Sequence, residues 1–425
     1  MNDLPACYAA YVGIDWADRA HSLCVWPAGA SQPELSELPH VPEAIHTWAR
    51  QLHQRFPAGK IAVALEQTRG PLLYALLQHP YLELFPINPA RLAKYREAVT
   101  AASGRKSDPL DAALACEVLR MHRDWLRPLR PMPAKVRELQ LLVEARRHFV
   151  DQRTALIEQL TDALKAYYPQ ALQLVGNLNS PLGWAWLRRW PTLTALQAAR
   201  PSTIERFYRR HGLHAAELIT ARLQLIRQAV SLTDDPAVLA AMPVQVAVLV
   251  AQLAGIAPAL ADYDRRIAAL FAAEPEAQVF ASLPGAGAQL APRLYVAFGP
   301  DHDRYQGADQ IQCFSGIAPI TKRSGQMWVT RWRWHCPTFL RQTFQEFAGC
   351  SIPHSRWAHA FYTQQLERGQ SPNQAKRALA YKWQRILFRC WQTRTPYDEA
   401  RYLASLREHH SPLIARIDAL QTCAA

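Results

Sequence analysis

Two short apolar runs that each end on a carboxylate limit the fold of this chain more than any other feature. Tyr11-Val12-Gly13-Ile14 runs into Asp15, and Ile61-Ala62-Val63-Ala64-Leu65 runs into Glu66. Runs of this length and composition read as short buried strands. Two further acids, Asp108 and Asp111, stand three residues apart in Lys106-Ser107-Asp108-Pro109-Leu110-Asp111, on one face of a helix start. Acids at strand ends and on one helical turn can converge on a point. Such a cluster repels itself unless cations neutralise it. The hard, oxygen-seeking ion that suits it is Mg²⁺. Two such ions, about 3.5–4 Å apart, can clamp the attacking and leaving oxygens of a phosphodiester. Taken singly, each acid has a commoner explanation. A strand-end Asp caps a turn, and Ser107-Asp108-Pro109 with Asp111 makes a good helix N-terminus. The set, in this order and on these elements, is what favours a metal site.

The pattern around the acids predicts an α/β layer domain. Residues 7–15 and 21–27 read as a hairpin, 43–56 as a helix with Ile45, Trp48 and Leu52 on one face, and 60–67 as a strand. A helix over 71–78 opens on a proline. A strand over 81–87, a basic helix over 90–99 and a helix from Asp108 to about His122 follow. Hairpin strands and then α-β units, with acids on the first strand, a later strand and a helix, are the pattern of an RNase H-like (RuvC-like) nuclease fold. Residues 120–133 are rich in proline and arginine and read as a linker. Beyond them the period changes to a heptad seam of Val136, Leu139, Val143, Val150, Ile157, Leu160 and Leu164, interrupted by Arg146 and Arg153. A seam arginine costs stability unless it is paired, so these two either fix register, face a nucleic acid or snorkel at a bundle edge. A second seam runs from Val246 to Leu270, with Pro258 expected to kink it. The two seams can pair within one chain or between chains. The aromatics between them, Trp184, Trp186 and Trp190, read as core.

The 48 Lys/Arg against 35 Asp/Glu give a net charge of +13, which suits a polyanionic partner or a plain solvated basic face. Eight cysteines are scattered without a Cys-x-x-Cys, which argues against a zinc ribbon. They read as reduced core thiols of a cytoplasmic protein. No signal peptide is expected, and no apolar run of about 18 residues that would span a membrane. Leu283-Pro284-Gly285-Ala286-Gly287 opens a helix, either as a tight turn or as a backbone approach to a phosphate. Residues 313–341 hold the second informative stretch. Ser324 lies between Arg323 and Gly325, near Lys322, Arg331, Arg333 and Arg341. A serine beside a flexible glycine and several cations can attack a phosphodiester if a base or metal activates it, or it can simply contact phosphate. Ser315 is a second candidate. From Thr321 to Arg401 there are 14 Lys/Arg against 4 Asp/Glu, interleaved with Trp328, Trp332, Trp334, Trp357, Tyr362, Tyr381, Trp383 and Trp391. This mixture fits a surface that binds backbone phosphates and packs on bases or sugars, some of the rings being core.

These residues resemble the DEDD transposases of the insertion-sequence-110 family, the bridge-RNA-guided recombinases, over almost the whole length. GIDWAD carries Asp15, VALEQTRG carries Glu66, and KSDPLDA carries Asp108 and Asp111. LPGAG, GIAPITKRSG and the helix start near CPTFLR complete the likeness. The resemblance implies a RuvC-like catalytic domain over 1–128, a helical coiled-coil region over 134–275, a mostly α-helical C-terminal transposase domain over 279–401, and a tail over 402–425. It implies that the four acids hold Mg²⁺, in a two-metal site, and that Ser324 joins covalently to DNA. It also implies dimers that pair into a tetramer, with composite sites built from two subunits. Donor and target DNA and a structured non-coding bridge RNA are the implied partners. Two other readings stay open on the residues alone. One is a metal-dependent endonuclease for four-way junctions that uses water as its nucleophile. The other is a non-catalytic nucleic-acid-binding scaffold whose acids are only caps. A third reading, an actin-like ATPase, is raised by Gly13-Ile14-Asp15 after the first strand, but this sequence shows no second Gly-rich phosphate loop of the expected kind.

Overall fold

The computed structural model describes residues 8–66, 69–99, 107–325 and 327–422; the side chains of Lys322, Trp328 and residues 420–422 lie outside the description, as do Cys7 and Cys423. The chain divides into two compact units, Met1–Pro131 and Met132–Ala425.

The first unit is built on strands β1 (Ala10–Asp15), β2 (Ala20–Pro27), β3 (Glu34–Pro39), β4 (Ile61–Leu65) and β5 (Leu82–Pro86), in the sheet order β3-β2-β1-β4-β5. β1 to β3 form an antiparallel meander, and β4 and β5 join β1 in parallel. Parallel strands need crossovers, which helices α1 (Pro42–Arg55), α2 (Pro71–Leu76), α3 (Pro89–Val99) and α4 (Asp108–Met121) supply or extend. The period of two sorts the central strands between two cores. Val12, Ile14, Ile61, Val63 and Leu65 pack with Ile45, Leu52, Leu72 and Leu76 on the face of α1 and α2. Ala62, Ala64 and Phe85 face Leu92, Leu114 and Val118 of α3 and α4. The small residues on that second face let a helix lie close to the sheet. This mixed sheet is compatible with an RNase H-like domain. The edge strand β3 was not anticipated: of its six residues only Leu38 is buried. The stretch read as a linker is partly ordered against the sheet, since the Leu129 N–H donates to the Leu84 carbonyl at 2.7 Å.

The second unit is helical. α5 (Ala134–Tyr167) and α11 (Pro236–Ala272) are its long elements, and α11 runs through both Pro243 and Pro258. Between them come α6 (Gln170–Val175), α7 (Pro181–Arg189), α8 (Leu193–Gln197), α9 (Pro201–Arg210) and α10 (Ala216–Gln228). The two seams meet within the chain. Leu160 and Leu164 share a core with Val246, Leu249 and Leu253, while Val136, Leu139 and Val143 share another with Ile267. The helices are therefore antiparallel. The seam residue Arg146 is bound to Asp264 of α11 at 2.5 Å. Trp186 and Trp190 are buried, as expected. One expectation fails here: residues 236–261 carry no charge, and α11 is long and apolar enough to cross a membrane by length and composition. Its seam residues Val246, Leu249 and Leu253 are buried in the core shared with α5, while Val244 and Val248 are exposed.

The rest of the unit comprises α12 (Ala277–Ala281), α13 (Gly287–Phe298), α14 (Ala308–Phe314), a two-stranded sheet of β6 (Ile320–Ser324) and β7 (Met327–Arg331), α15 (Thr338–Ser351), α16 (Arg356–Glu367), α17 (Pro372–Thr393), α18 (Glu399–Glu408) and α19 (Leu413–Thr422). Trp357, Trp383 and Trp391 are fully buried, and each indole N–H finds an acceptor: Tyr397, Ser351 and the Gly299 carbonyl. Gly285 belongs to packing: a Cβ there would lie 2.3 Å from the Cys350 carbonyl oxygen, and its φ is +78°. The tight-turn reading of LPGAG therefore suffices. The cysteines are not all core. Cys24 and Cys116 are buried, but Cys313 and Cys350 are exposed.

Candidate active site

Asp15 is the last residue of β1. Ile14 pairs with Leu65 in the parallel register, so Asp15 and Glu66 leave neighbouring strands side by side. What brings the other two acids to this end of the sheet is Gly13. A Cβ at Gly13 would sit 2.0 Å from the Ala112 carbonyl oxygen and 2.5 Å from the Cys116 nitrogen. Only a residue without a side chain lets α4 lie on β1 this closely. Asp108 and Asp111 occupy the first turn of that helix, Asp108 exposed and Asp111 buried. Neither completes a cap. The Ser107 side chain makes no capping bond, and the Asp111 carboxylate is held by Arg96 of α3 at 2.5 Å. Arg96 was not singled out in the sequence. Its only signal was membership of a basic helix, and its partner lies fifteen residues away in the chain.

The loop after Asp15 is fixed by two histidines. The Ala17 N–H donates to His21 Nδ1 at 3.2 Å, so His21 carries its proton on Nε2 and donates it to His40 Nδ1 at 2.9 Å. Burial, and then the neighbouring His40, pushes the His21 pKa down to about 4. Trp16, next to Asp15, stands beside both rings and stays partly exposed.

The four acids supply only hard carboxylate oxygens, the donor set of a divalent cation such as Mg²⁺. By that chemistry they fit. Among the described residues, however, no three Asp, Glu, His or Cys side chains are gathered closely enough to hold a metal ion. On Asp111 the guanidinium of Arg96 stands in the role a metal cation would take.

Ser324 belongs to the second unit, at the tip of the β6–β7 hairpin. It pairs with Met327 across a turn whose Gly325 has φ +56°. Its side chain is exposed, and among the described residues nothing hydrogen-bonds to its hydroxyl. The register puts Arg331 on the face of Ser324 and Arg323 on the opposite one. Both arginines are exposed. The Lys322 side chain lies outside the described residues. Arg333 and Arg341 follow the hairpin and are half-buried. Ser315 is not available for attack: it is fully buried and accepts a 2.7 Å hydrogen bond from Gln384.

A nuclease-like α/β unit with acids at the ends of its central strands, joined to a basic helical unit, is the build of an enzyme that handles nucleic acid. Comparison with known proteins narrows the class. A model of IS110-type DEDD transposases, described as "Transposase", matches residues 12–169, and one described as "Transposase IS116/IS110/IS902 family" matches residues 277–363. The mini-circle putative transposase for IS117 of Streptomyces coelicolor is 28% identical over 406 residues, covering 93% of this chain and 97% of that protein. The insertion element IS900 uncharacterized 42 kDa protein of Mycobacterium paratuberculosis is 26% identical, over 82% of this chain and 86% of its own. The chain belongs to the IS110 family of DEDD transposases. It is a DNA transposase, with DNA as its partner. The family suggests dependence on a divalent metal.

Proposed function

We propose that the protein excises and inserts its own insertion sequence through a covalent serine–DNA intermediate, guided by a bridge RNA. Asp15, Glu66, Asp108 and Asp111 would hold Mg²⁺, which when bound supplies charge neutralisation and polarises the scissile phosphate. The observation that carries the reading is the seating of α4 on Gly13, which starts the Asp108–Asp111 turn where Asp15 and Glu66 leave the sheet. Cap formation, the competing explanation of Asp111, is disfavoured by its pairing with Arg96.

In this reading the Ser324 Oγ attacks phosphorus. The Oγ–P bond forms, the bond from phosphorus to the leaving nucleoside oxygen breaks, and the hydroxyl proton passes to solvent. Attack by the oxygen of a second strand reverses the step and exchanges strands. In this reading the Ser324 hydroxyl is activated from outside its own hairpin. A composite site, with the acids of one subunit and the serine of another in a dimer-of-dimers, meets that need. Lys322, Arg323, Arg331, Arg333 and Arg341 would hold the strand, and Arg331 shares the Ser324 face. The test is recombination of a plasmid-borne element with its native flanks. Ser324→Ala should abolish strand transfer. Cutting that survives in this variant would favour a junction endonuclease that uses water. A discrete flank-encoded RNA should copurify through a high-salt wash, and random cellular RNA would count against guidance.

A further inference from the structure

Three arginines of the second unit converge without an acid. Arg377 of α17 donates from Nε to the Ile317 carbonyl at 2.9 Å and from Nη2 to the Gly316 carbonyl at 3.1 Å. Its guanidinium lies over the Trp332 ring, 3.6 Å from the centroid. Arg333 donates to the Ala318 carbonyl at 3.3 Å and to the Cys313 sulfur at 3.7 Å, and Arg341 donates to the Cys336 sulfur at 3.7 Å. Among the described residues no carboxylate lies within ion-pair distance of any of the three. Elsewhere in the same unit, semi-buried arginines do have acids: Arg293 and Arg147 share Glu346, and Arg146 has Asp264. Burial and the charges of Arg341 and Arg333 both push the Arg377 pKa down, so the three guanidinium groups feel one another.

The cluster is built rather than incidental. Gly316 has φ +75°, and a Cβ on it would lie 2.2 Å from the Cys336 sulfur. Glycine is therefore what allows the 316–318 turn to tuck in and present its carbonyls to Arg377 and Arg333. Those bonds use one edge of the Arg377 fork and leave Nη1 unused, while Trp332 covers a face. Beside the cluster Trp334 is 73% exposed, with its ring 6.4 Å from Trp332 and 6.0 Å from the Arg341 guanidinium. An exposed indole next to uncompensated guanidinium groups has the two halves of a nucleotide binder, anion donors and a stacking surface.

We propose that Arg333, Arg341 and Arg377, with Trp332 and Trp334, form a pocket that takes one phosphodiester of a nucleic-acid strand and stacks the adjoining base on Trp334. The pocket rests on the nucleic-acid role proposed above for this unit and adds Arg377, Trp332 and Trp334 to it as binding residues. Arg377 also fixes the turn that leads into β6, so it positions the Ser324 hairpin from its base.

The experiment is fluorescence anisotropy of the full-length protein with a labelled single-stranded DNA and an RNA of the same sequence, across a salt series. Arg377→Gln and Arg341→Gln should each weaken binding on the order of tenfold. Each should also lower the slope of log Kd against log salt by about 0.7, the loss of one single-strand phosphate contact. Trp334→Ala should weaken binding by about tenfold with the slope unchanged, the mark of lost stacking. Arg188→Gln, which removes the same charge from an exposed position on α7, should do neither. If Arg377→Gln unfolds, Arg341→Gln and Trp334→Ala decide alone. Tighter binding of one polymer assigns the pocket to that strand, DNA or RNA. Variants indistinguishable from Arg188→Gln overturn the pocket. The wild type's competence in plasmid recombination would still stand, so this failure is separable from failure of the transposase mechanism.

Discussion

Gly13 and Arg96 determine where the acids go, and neither is an acid. Gly13→Ala forces a Cβ against the Ala112 carbonyl, so stability should fall by roughly 2–3 kcal/mol in urea unfolding. Gly255→Ala, in an exposed turn of α11 with nothing within 4 Å of the new methyl, should gain about 0.5–1 kcal/mol. Arg96→Gln uncovers a buried carboxylate and should cost about 3 kcal/mol. Mg²⁺ should return part of that loss in Arg96→Gln and none in the Arg96→Gln/Asp111→Asn double variant, as read by thermal unfolding. His21 adds a pH dependence. Its folded pKa of about 4 lies below the ordinary value near 6.5, so between these pH values the unfolded chain binds a proton that the folded chain refuses. Stability therefore rises with pH through that window, and His21→Gln should flatten the rise in unfolding midpoint. At this scale the places of the four acids were legible, Asp15 and Glu66 at the ends of neighbouring strands and Asp108 and Asp111 on one helical turn. It misled at Ser315, because a serine beside a glycine looks the same in a core as on a surface. It was silent on Arg96 and Arg377, whose partners are set by the tertiary fold.

Among the elements, β1, β4, β5 and the helices between them were legible because their apolar runs are short, continuous and bounded by turn residues. β3 was not, since an edge strand buries one side chain in six and carries almost no pattern. The β6–β7 hairpin was hidden by its composition. Thr321, Arg323, Ser324, Thr330 and Arg331 are polar and exposed, and no described side chain of Ile320–Ser324 is buried to mark an alternation. The long helices announced themselves by their heptad spacing, but whether they pair in one chain depends on α6 to α10 returning the chain. The Arg146–Asp264 pair joins the two helices and gives a measurable link. Burial alone would raise the Asp264 carboxyl, but hydrogen bonds from Arg146 and Gln289 and the charges of Arg146 and Arg153 hold it low. A double-mutant cycle of Arg146→Gln and Asp264→Asn should give about 0.5–1 kcal/mol of coupling at neutral pH, as expected for a part-exposed pair. That coupling should fade as pH falls through the carboxyl's titration.

For the whole molecule, the division at Pro131/Met132 separates the acids from Ser324. The chemistry proposed for them therefore needs both units, and the composite arrangement needs more than one copy of the chain. In that proposed arrangement α11 would be a surface for self-association, since Val244 and Val248 are more than half exposed on a stretch without charge. Val244→Asp and Val248→Asp together should shift the sedimentation of the protein towards a monomer without lowering its unfolding midpoint. Unchanged sedimentation would move the contact elsewhere.

The most direct measurement is a search for the covalent intermediate. The protein, copurified with its RNA, is incubated with Mg²⁺ and a labelled DNA carrying the element's end, then denatured and digested for mass spectrometry. A DNA adduct on the peptide that contains Ser324, absent from both Ser324→Ala and Asp15→Asn, is the expected result. DNA cleaved to the same extent by Ser324→Ala, or an adduct mapped to another residue, would contradict the serine mechanism.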